Sequence, residues 1–220
     1  LHSKGSTVHI ESNRFLENGI PLTFNFGEAN FRHLGNTFLN NTRNAITIGG
    51  NATKNEVLTA DDGPYVGGFR VMSGGEVVLN PGVIFKIEKN GALLSSGRFI
   101  TRGTPTEKVY ITSVDDDSLG GDTNNNGTTT PVRASWNNMW ATDGGTFDLD
   151  HTVVRYGGDT VANYAFRDRV GGALLNTDGR FVIKNSEISD AMTGLTNESG
   201  FFDVSSTTFR NVDYGIYVFQ

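Results

Sequence analysis

The chain lacks cysteine, clustered basic residues and long apolar runs, and each absence narrows what it can be. With no cysteine among its 220 residues, it has no disulfide framework. A formal net charge of -6 and the absence of a lysine- or arginine-rich run disfavour nucleic acid as a partner, because phosphate binding requires a clustered basic surface. No apolar stretch approaches the roughly 18 residues that cross a bilayer as a helix, so we expect no membrane insertion.

The composition that remains is typical of a protein made of many short strands. Hydrophobic residues account for 36% of the chain and charged residues for 19%, while 28 glycines supply turns. The 15 phenylalanines provide buried apolar area that a disordered chain would lack. Glycine, asparagine and threonine recur too often to allow a long amphipathic helix. We therefore expect an all-β fold.

One spaced apolar pattern occurs five times. Its first two positions are separated by one residue, and its third position lies five residues after the second. A polar turn-forming residue lies between the second and third positions. The copies are Val8, Ile10 and Phe15; Phe31, His33 and Phe38; Phe147, Leu149 and Val154; Phe181, Ile183 and Ile188; and Phe202, Val204 and Phe209. The turn residues are Asn13, Asn36, Thr152, Ser186 and Thr207. Such self-similarity predicts a solenoid of stacked coils.

A third short strand follows each turn, as at 21–24, 45–48, 194–196 and 215–218. Three short strands per coil, joined by polar turns, predict a parallel β-helix with three faces. We expect a single body over 1–220. Within it, tight glycine-punctuated coils occupy 57–113, an acidic loop 114–135, and further coils 136–220, with an insertion at 159–169.

The two ends of the sequence resemble each other at a separation of roughly 170 residues. One interpretation is a tandem cassette, in which 1–56 are coils of a preceding repeat unit and the chain is part of a larger protein. The other is that any two coils of a β-helix align this well. The sequence leaves both open.

The segment 76–158 resembles a recurrent module of large secreted or surface-anchored bacterial proteins with a pectate-lyase-like β-helix architecture. The matching residues are Asn80-Pro81-Gly82-Val83-Ile84-Phe85-Lys86, Gly103-Thr104-Pro105, Ile111-Thr112-Ser113, the run 116–124, and 151–158. The resemblance implies a right-handed parallel β-helix and an extracellular location, secreted or on the bacterial surface. Proteins of this class include adhesins, carbohydrate-binding scaffolds and polysaccharide-degrading enzymes, so the resemblance does not determine the activity.

The acidic loop is a candidate Ca²⁺ site. Asp122, Asn124 and Asn126 alternate before Gly127, a spacing that lets side-chain oxygens converge on one cation. The remaining candidate ligands are Thr128, Asp115, Asp116 and Asp117. The twelfth position is Arg133 rather than the usual bidentate glutamate. The alternative is a loop whose Asp and Asn side chains only form turn hydrogen bonds.

Two further sets of residues could carry function. Asp148, Asp150 and Arg155 are the candidates for a polysaccharide lyase or glycosidase, although outward charges on a strand are ordinarily solvated. Trp140, Tyr156, Tyr164 and Phe166 could stack on sugar rings, with core packing as the alternative for Trp140 and its neighbour Trp136.

The sequence thus favours a non-catalytic structural or adhesive module over an enzyme. Its expected partners are carbohydrate or the surface of a host or neighbouring cell, and its coils could associate end to end. A polysaccharide-active enzyme is the alternative.

Overall fold

The computed structural model describes residues 7–27, 30–61, 63–158 and 171–219, and these contain strands but no helix. Accordingly, no described segment is a helix long and apolar enough to cross a membrane. The 24 strands are β1 (Thr7–Glu11), β2 (Arg14–Leu16), β3 (Leu22–Phe26), β4 (Asn30–Leu34), β5 (Thr37–Leu39), β6 (Ile46–Ala52), β7 (Asn55–Leu58), β8 (Tyr65–Gly67), β9 (Phe69–Val71), β10 (Glu76–Leu79), β11 (Ile84–Ile87), β12 (Leu93–Ser95), β13 (Arg98–Arg102), β14 (Val109–Ser113), β15 (Met139–Ala141), β16 (Thr146–Asp150), β17 (Thr152–Arg155), β18 (Leu174–Asn176), β19 (Gly179–Lys184), β20 (Glu187–Ser189), β21 (Thr193–Asn197), β22 (Gly200–Ser205), β23 (Thr208–Arg210) and β24 (Tyr214–Val218).

The strands stack into a parallel, solenoid-like sheet. From β7 onwards each strand pairs in parallel with the strand three places later in the chain. Three ladders result: one runs from β7 to β22, one from β8 to β23, and one from β9 to β24. This confirms the predicted all-β class and the stacking of coils, because parallel strands with this order require the chain to return to the same side after every third strand.

The apolar pattern sets the register of this stack. Phe147 lies opposite Phe181, which lies opposite Phe202, and the other two apolar positions of these copies align in the same way. The first two copies align with each other, so that Val8 lies opposite Phe31. Residues equivalent in the sequence pattern therefore occupy equivalent places in neighbouring coils.

Four of the five polar turn residues act as predicted. Asn13, Thr152, Ser186 and Thr207 each donate a side-chain hydrogen bond to the backbone oxygen two residues earlier. Some also join coils: Ser186 Oγ accepts from the backbone amide of Thr152 at 3.0 Å. Each residue thus fixes its own turn and, where it reaches the next coil, the spacing of the stack.

The core is a column of aromatic and aliphatic side chains. Phe147 is fully buried, with its ring centroid 5.2 Å from that of Phe99 and 5.0 Å from that of Phe181. Burial of each such side chain stabilises the folded state by about 2–3 kcal/mol. At both ends of the column the equivalent residues, such as Phe15 and Phe202, are only half-buried.

The ladders are interrupted between the second and third coils. β1 pairs with β4, and β2 with β5, but each pair forms an isolated two-stranded sheet. The long strand β6 crosses this interruption. It pairs with β3 of the first coil, its first residues pair with β8, and its last residues pair with β9. Among the described strands, β6 alone carries backbone pairing from the first two coils into the main stack.

Candidate functional site

The acidic loop leaves the end of β14 and returns to the stack at β15. Its carboxylates form turn hydrogen bonds of the kind that the sequence offered as the alternative to calcium. Asp122 accepts from the backbone amides of Asn126 and Gly127, at 3.2 and 2.9 Å. Asp115 Oδ1 accepts from the side chains of Asn124 and Asn126, at 2.8 and 3.2 Å. These bonds give the loop a defined shape.

A lysine that the sequence analysis did not single out as a site residue lies beneath this loop. Lys86 points outward from β11, yet it is fully buried because the loop covers it. Its Nζ donates to the backbone oxygen of Gly121 at 2.7 Å. Burial lowers the Lys86 pKa, while the charges of four surrounding aspartates oppose that shift; they are Asp115, Asp116, Asp117 and Asp122. Lys86 therefore supplies one of the positive charges that the loop needs.

Arg155 supplies a second positive charge from the side of the loop. Its Nε donates to Asp116 Oδ2 at 2.7 Å, and its guanidinium also donates to the Ser118 hydroxyl at 2.7 Å. Asp116 is 2% exposed and also accepts from the hydroxyl of Thr112, on β14. A buried carboxylate with an arginine and a hydroxyl as partners is a fixed structural element.

The predicted calcium site stays a prediction. Within the described residues, no group of three or more acidic, histidine or cysteine side chains is placed to hold a metal ion. Thr128 is exposed at the tip of the loop. Two buried oxygens, Asp117 Oδ1 and Asn124 Oδ1, nevertheless have no hydrogen-bond partner. Four aspartates facing one lysine and one arginine also leave a formal excess of two negative charges.

Of the candidate catalytic residues, Asp150 and Arg155 bond different side chains. Asp150 lies 2.8 Å from His151 Nδ1 and 3.5 Å from Lys184 Nζ, and it accepts from Asn185 at 3.0 Å. Partial burial raises the Asp150 pKa, but the Asn185 hydrogen bond and these neighbouring positive charges outweigh it, so the net pKa is lowered. Arg155 lies on the next strand, with its guanidinium on Asp116. Asp148 lies opposite Ile100 and Val182 in the ladder.

The candidate sugar-binding aromatics lie on different ladders. Trp140, on β15, is half-buried on the outer side of its ladder between Leu94 and Leu175, and its indole N–H donates to Thr177 Oγ1 at 2.8 Å. Tyr156 follows β17 and lies beneath the guanidinium of Arg155, 5.4 Å from its ring centroid. Burial raises the Tyr156 pKa. Tyr164 and Phe166 lie outside the described residues.

Trp136 belongs to the core, as the sequence alternative anticipated. It is fully buried, and its indole N–H donates to the backbone oxygen of Arg155 at 2.9 Å. The two tryptophans, four residues apart, thus have different environments. Only Trp140 retains access to solvent.

A groove lies one strand away from Trp140. It has a volume of about 550 Å³, and Leu94, the ladder neighbour of Trp140, is part of its wall. Its polar lining includes Arg43 and Glu88, which form an ion pair, and also Lys89 and Asn90. Asn137 donates to the backbone oxygen of Asn90 at 2.8 Å, which ties the rim of the groove to the coil that carries Trp140. This flank combines an accessible aromatic ring with charged and amide groups.

Comparisons with protein-family models, with curated proteins and with solved structures found no significant match.

Proposed function

We propose that the chain is a rigid, non-catalytic adhesive module of a secreted or surface-anchored bacterial protein, and that it binds carbohydrate along the flank that carries Trp140. The observation that carries the proposal is that this indole lies one strand away from Leu94, which is part of the groove wall. Its solvent-accessible ring is oriented by the hydrogen bond to Thr177, and polar groups lie one coil away. Aromatic rings with nearby hydrogen-bonding groups suit the apolar faces and hydroxyls of sugars.

The proposal includes a finer description of the fold as a right-handed, three-faced parallel β-helix. The three ladders, each pairing strands three apart, support three faces. Right-handed coiling is favoured because parallel strands linked within one sheet cross over right-handedly in about 98% of cases. A stack of this kind supplies the stiffness that a surface stalk needs.

The enzyme alternative is weaker because the charged groups are already engaged with structural partners. A polysaccharide lyase or glycosidase needs acid and base groups directed at one substrate bond. Arg155 is held by Asp116 and Ser118, and Asp150 is bordered by Lys184 and Asn185. Cleavage of any uronic or neutral polysaccharide in a panel would favour the enzyme.

The experiment is affinity electrophoresis against a panel of bacterial and host polysaccharides, followed by calorimetry with the best ligand. We expect Trp140→Ala to weaken binding at least about tenfold, because stacking on one aromatic ring contributes roughly 1.4 kcal/mol or more. Trp140→Phe should retain part of the affinity. Phe201→Ala is the matched control, since Phe201 is a 49% exposed aromatic on another ladder. Equal affinity in wild type and Trp140→Ala would refute the proposed flank.

A structural Ca²⁺ in the acidic loop is a second part of the proposal. The favouring observation is the pair of buried, unpartnered oxygens on Asp117 and Asn124, together with the excess negative charge. Carboxylate and amide oxygens are ligands that Ca²⁺ prefers. The cation would add to the roles of Lys86 and Arg155 rather than replace them.

End-to-end association is a third part of the proposal. The inward apolar residues of β24, Ile216 and Val218, are 40% and 49% exposed. Burial of such a surface against another coil would be favourable. Sedimentation of wild type and Ile216→Lys would test this, because a charge at the end of the apolar column should disperse any such dimer.

A further inference from the structure

The interruption between the second and third coils encloses a cavity of about 540 Å³. On one side it is bordered by β7, which pairs with β10 but has no paired strand on its other edge within the described residues. On the other side lie side chains of the first two coils, including Ile10, Phe24 and Phe31. A volume of this size is within the range of small-molecule sites.

One carboxylate lines this cavity, whose other polar side chains are Thr23, Asn25 and His33. Glu56 lies opposite Val77, which is fully buried, so the ladder register places Glu56 at an inward position of the column. It is the one acidic residue among the described lining residues, which include no lysine or arginine. Its side chain has no hydrogen bond or ion pair within the described part of the chain.

The environment of Glu56 disfavours its charged form. Burial raises the Glu56 pKa, and the charge of Lys54 opposes this only in part. His33 also lines the cavity, where its Nε2 lies 3.0 Å from the hydroxyl of Tyr65, and that hydroxyl donates to the backbone oxygen of Thr59. The polar groups of the wall therefore include an anchored histidine and a carboxylate that has no counter-ion in contact among the described residues.

A cavity lined by one carboxylate and several phenylalanine rings suits one ligand chemistry best. Phe15, Phe24, Phe26 and Phe31 all contribute to the lining. The negative faces of aromatic rings attract ammonium groups, and a desolvated carboxylate gains most from a cation that enters with it. A neutral ligand would leave the charge of Glu56 uncompensated, and an anion would be repelled.

We propose that this cavity binds an organic cation with an apolar body, an alkyl- or arylammonium, with Glu56 as the counter-ion and the phenylalanine rings around its hydrocarbon part. This site is separate from the flank of Trp140, which lies on a different ladder.

The probes are 2-phenylethylammonium and its neutral analogue 2-phenylethanol, titrated calorimetrically into the full chain at pH 7. Wild type should bind the ammonium at least about tenfold more tightly than the alcohol, because a charge-assisted hydrogen bond contributes roughly 1.5–3 kcal/mol. Glu56→Gln, which keeps the shape of the side chain, should remove this preference and leave the alcohol's affinity unchanged.

Glu11→Gln is the matched control. It removes the same charge from the exposed outer side of β1 and should retain the preference for the ammonium. If Glu56→Gln fails to fold, as judged by circular dichroism, Glu56→Leu offers the same measurement with an apolar side chain like that of Leu58. Absence of ammonium binding to wild type, equal affinity for both probes, or a preference that persists without Glu56 would each overturn the proposal.

Discussion

The first two coils and the main stack are built from the same apolar pattern, yet they bury it to different extents. In the interior of the main stack the inward side chains are fully covered, as Phe147 and Phe181 are, whereas Ile10 and Phe15 of the first coil remain partly exposed. The difference follows from pairing: ladders continue on both sides of β16, while β1 and β2 each pair with one strand. An apolar pattern determines which side chains face inward, but ladder continuity determines how well they are covered.

The sharpest test of this comparison truncates one phenylalanine in each region. Phe147→Ala should lower the free energy of unfolding by about 4 kcal/mol, because it opens a cavity between the rings of Phe99 and Phe181. Phe15→Ala should cost about 1–2 kcal/mol, since Phe15 is half-buried and stacks on Phe38 at 5.2 Å. Urea denaturation measures both.

Hydrogen exchange provides the control for local unfolding. Amides of β1 and β2 should exchange faster than those of β16, because the first coils can open without the main stack. Phe147→Leu should lose less stability than Phe147→Ala. Equal losses for the two alanine variants would contradict the difference in burial between the regions.

The second comparison contrasts two lysines that point outward from the stack. Lys86→Met should destabilise the fold by about 3 kcal/mol, because it leaves the backbone oxygen of Gly121 and the neighbouring aspartates without their cation. Lys184→Met should cost less than about 1 kcal/mol, since the Lys184 side chain is 45% exposed beside Asp150. Chemical denaturation at pH 7 and low salt distinguishes them. Similar losses would show that the loop does not depend on Lys86.

These two lysines also show which features could be predicted from the sequence and which could not. Alternation with Phe85 and Ile87 places Lys86 on the outer side of its strand, but its burial depends on a loop more than 25 residues later in the chain. Contacts at such a distance have no local periodicity to reveal them. The acidic loop itself was found from its composition, whereas the pairing of Asp116 with Arg155 was not, because those residues belong to different coils.

The apolar pattern also could not predict the interruption of the ladders after the second coil. The copies around Phe31 and Phe147 look alike in sequence, although only the second lies in a continuous ladder. One signal was present: Glu56 takes an inward position that apolar residues fill in the coils that follow. The apolar pattern therefore predicted the order of strands along the whole solenoid, but it did not predict the interruption of the ladders after the second coil.

The third prediction concerns the acidic loop. If the loop binds Ca²⁺ with a dissociation constant near 1 mM, 10 mM Ca²⁺ should stabilise the fold by about 1.4 kcal/mol and raise the melting temperature by about 3–5 °C. Asp117→Asn should abolish the shift, while Asp203→Asn, at an exposed position on β22, should leave it intact. Melting curves with Ca²⁺ and with Mg²⁺ measure the effect. No shift with either ion would refute the calcium site.

The smallest expected effect reverses the usual sign of removing a charge. Glu56→Gln should stabilise the fold by about 1 kcal/mol at pH 7, because the folded protein then no longer holds, partly shielded from water, a carboxylate without a partner among the described residues. Since burial raises the Glu56 pKa in the folded state, the folded protein binds the proton more tightly than the unfolded chain does. Wild type therefore loses stability relative to the variant as the pH rises through that raised pKa, and the two should be equally stable below pH 4.

Urea denaturation at pH 4 and pH 7 measures the difference, with Glu11→Gln as the exposed control that should change little at either pH. A Glu56→Gln variant less stable than wild type at pH 7 would mean that the carboxylate is already well compensated, and the cavity would then have no reason to select a cation.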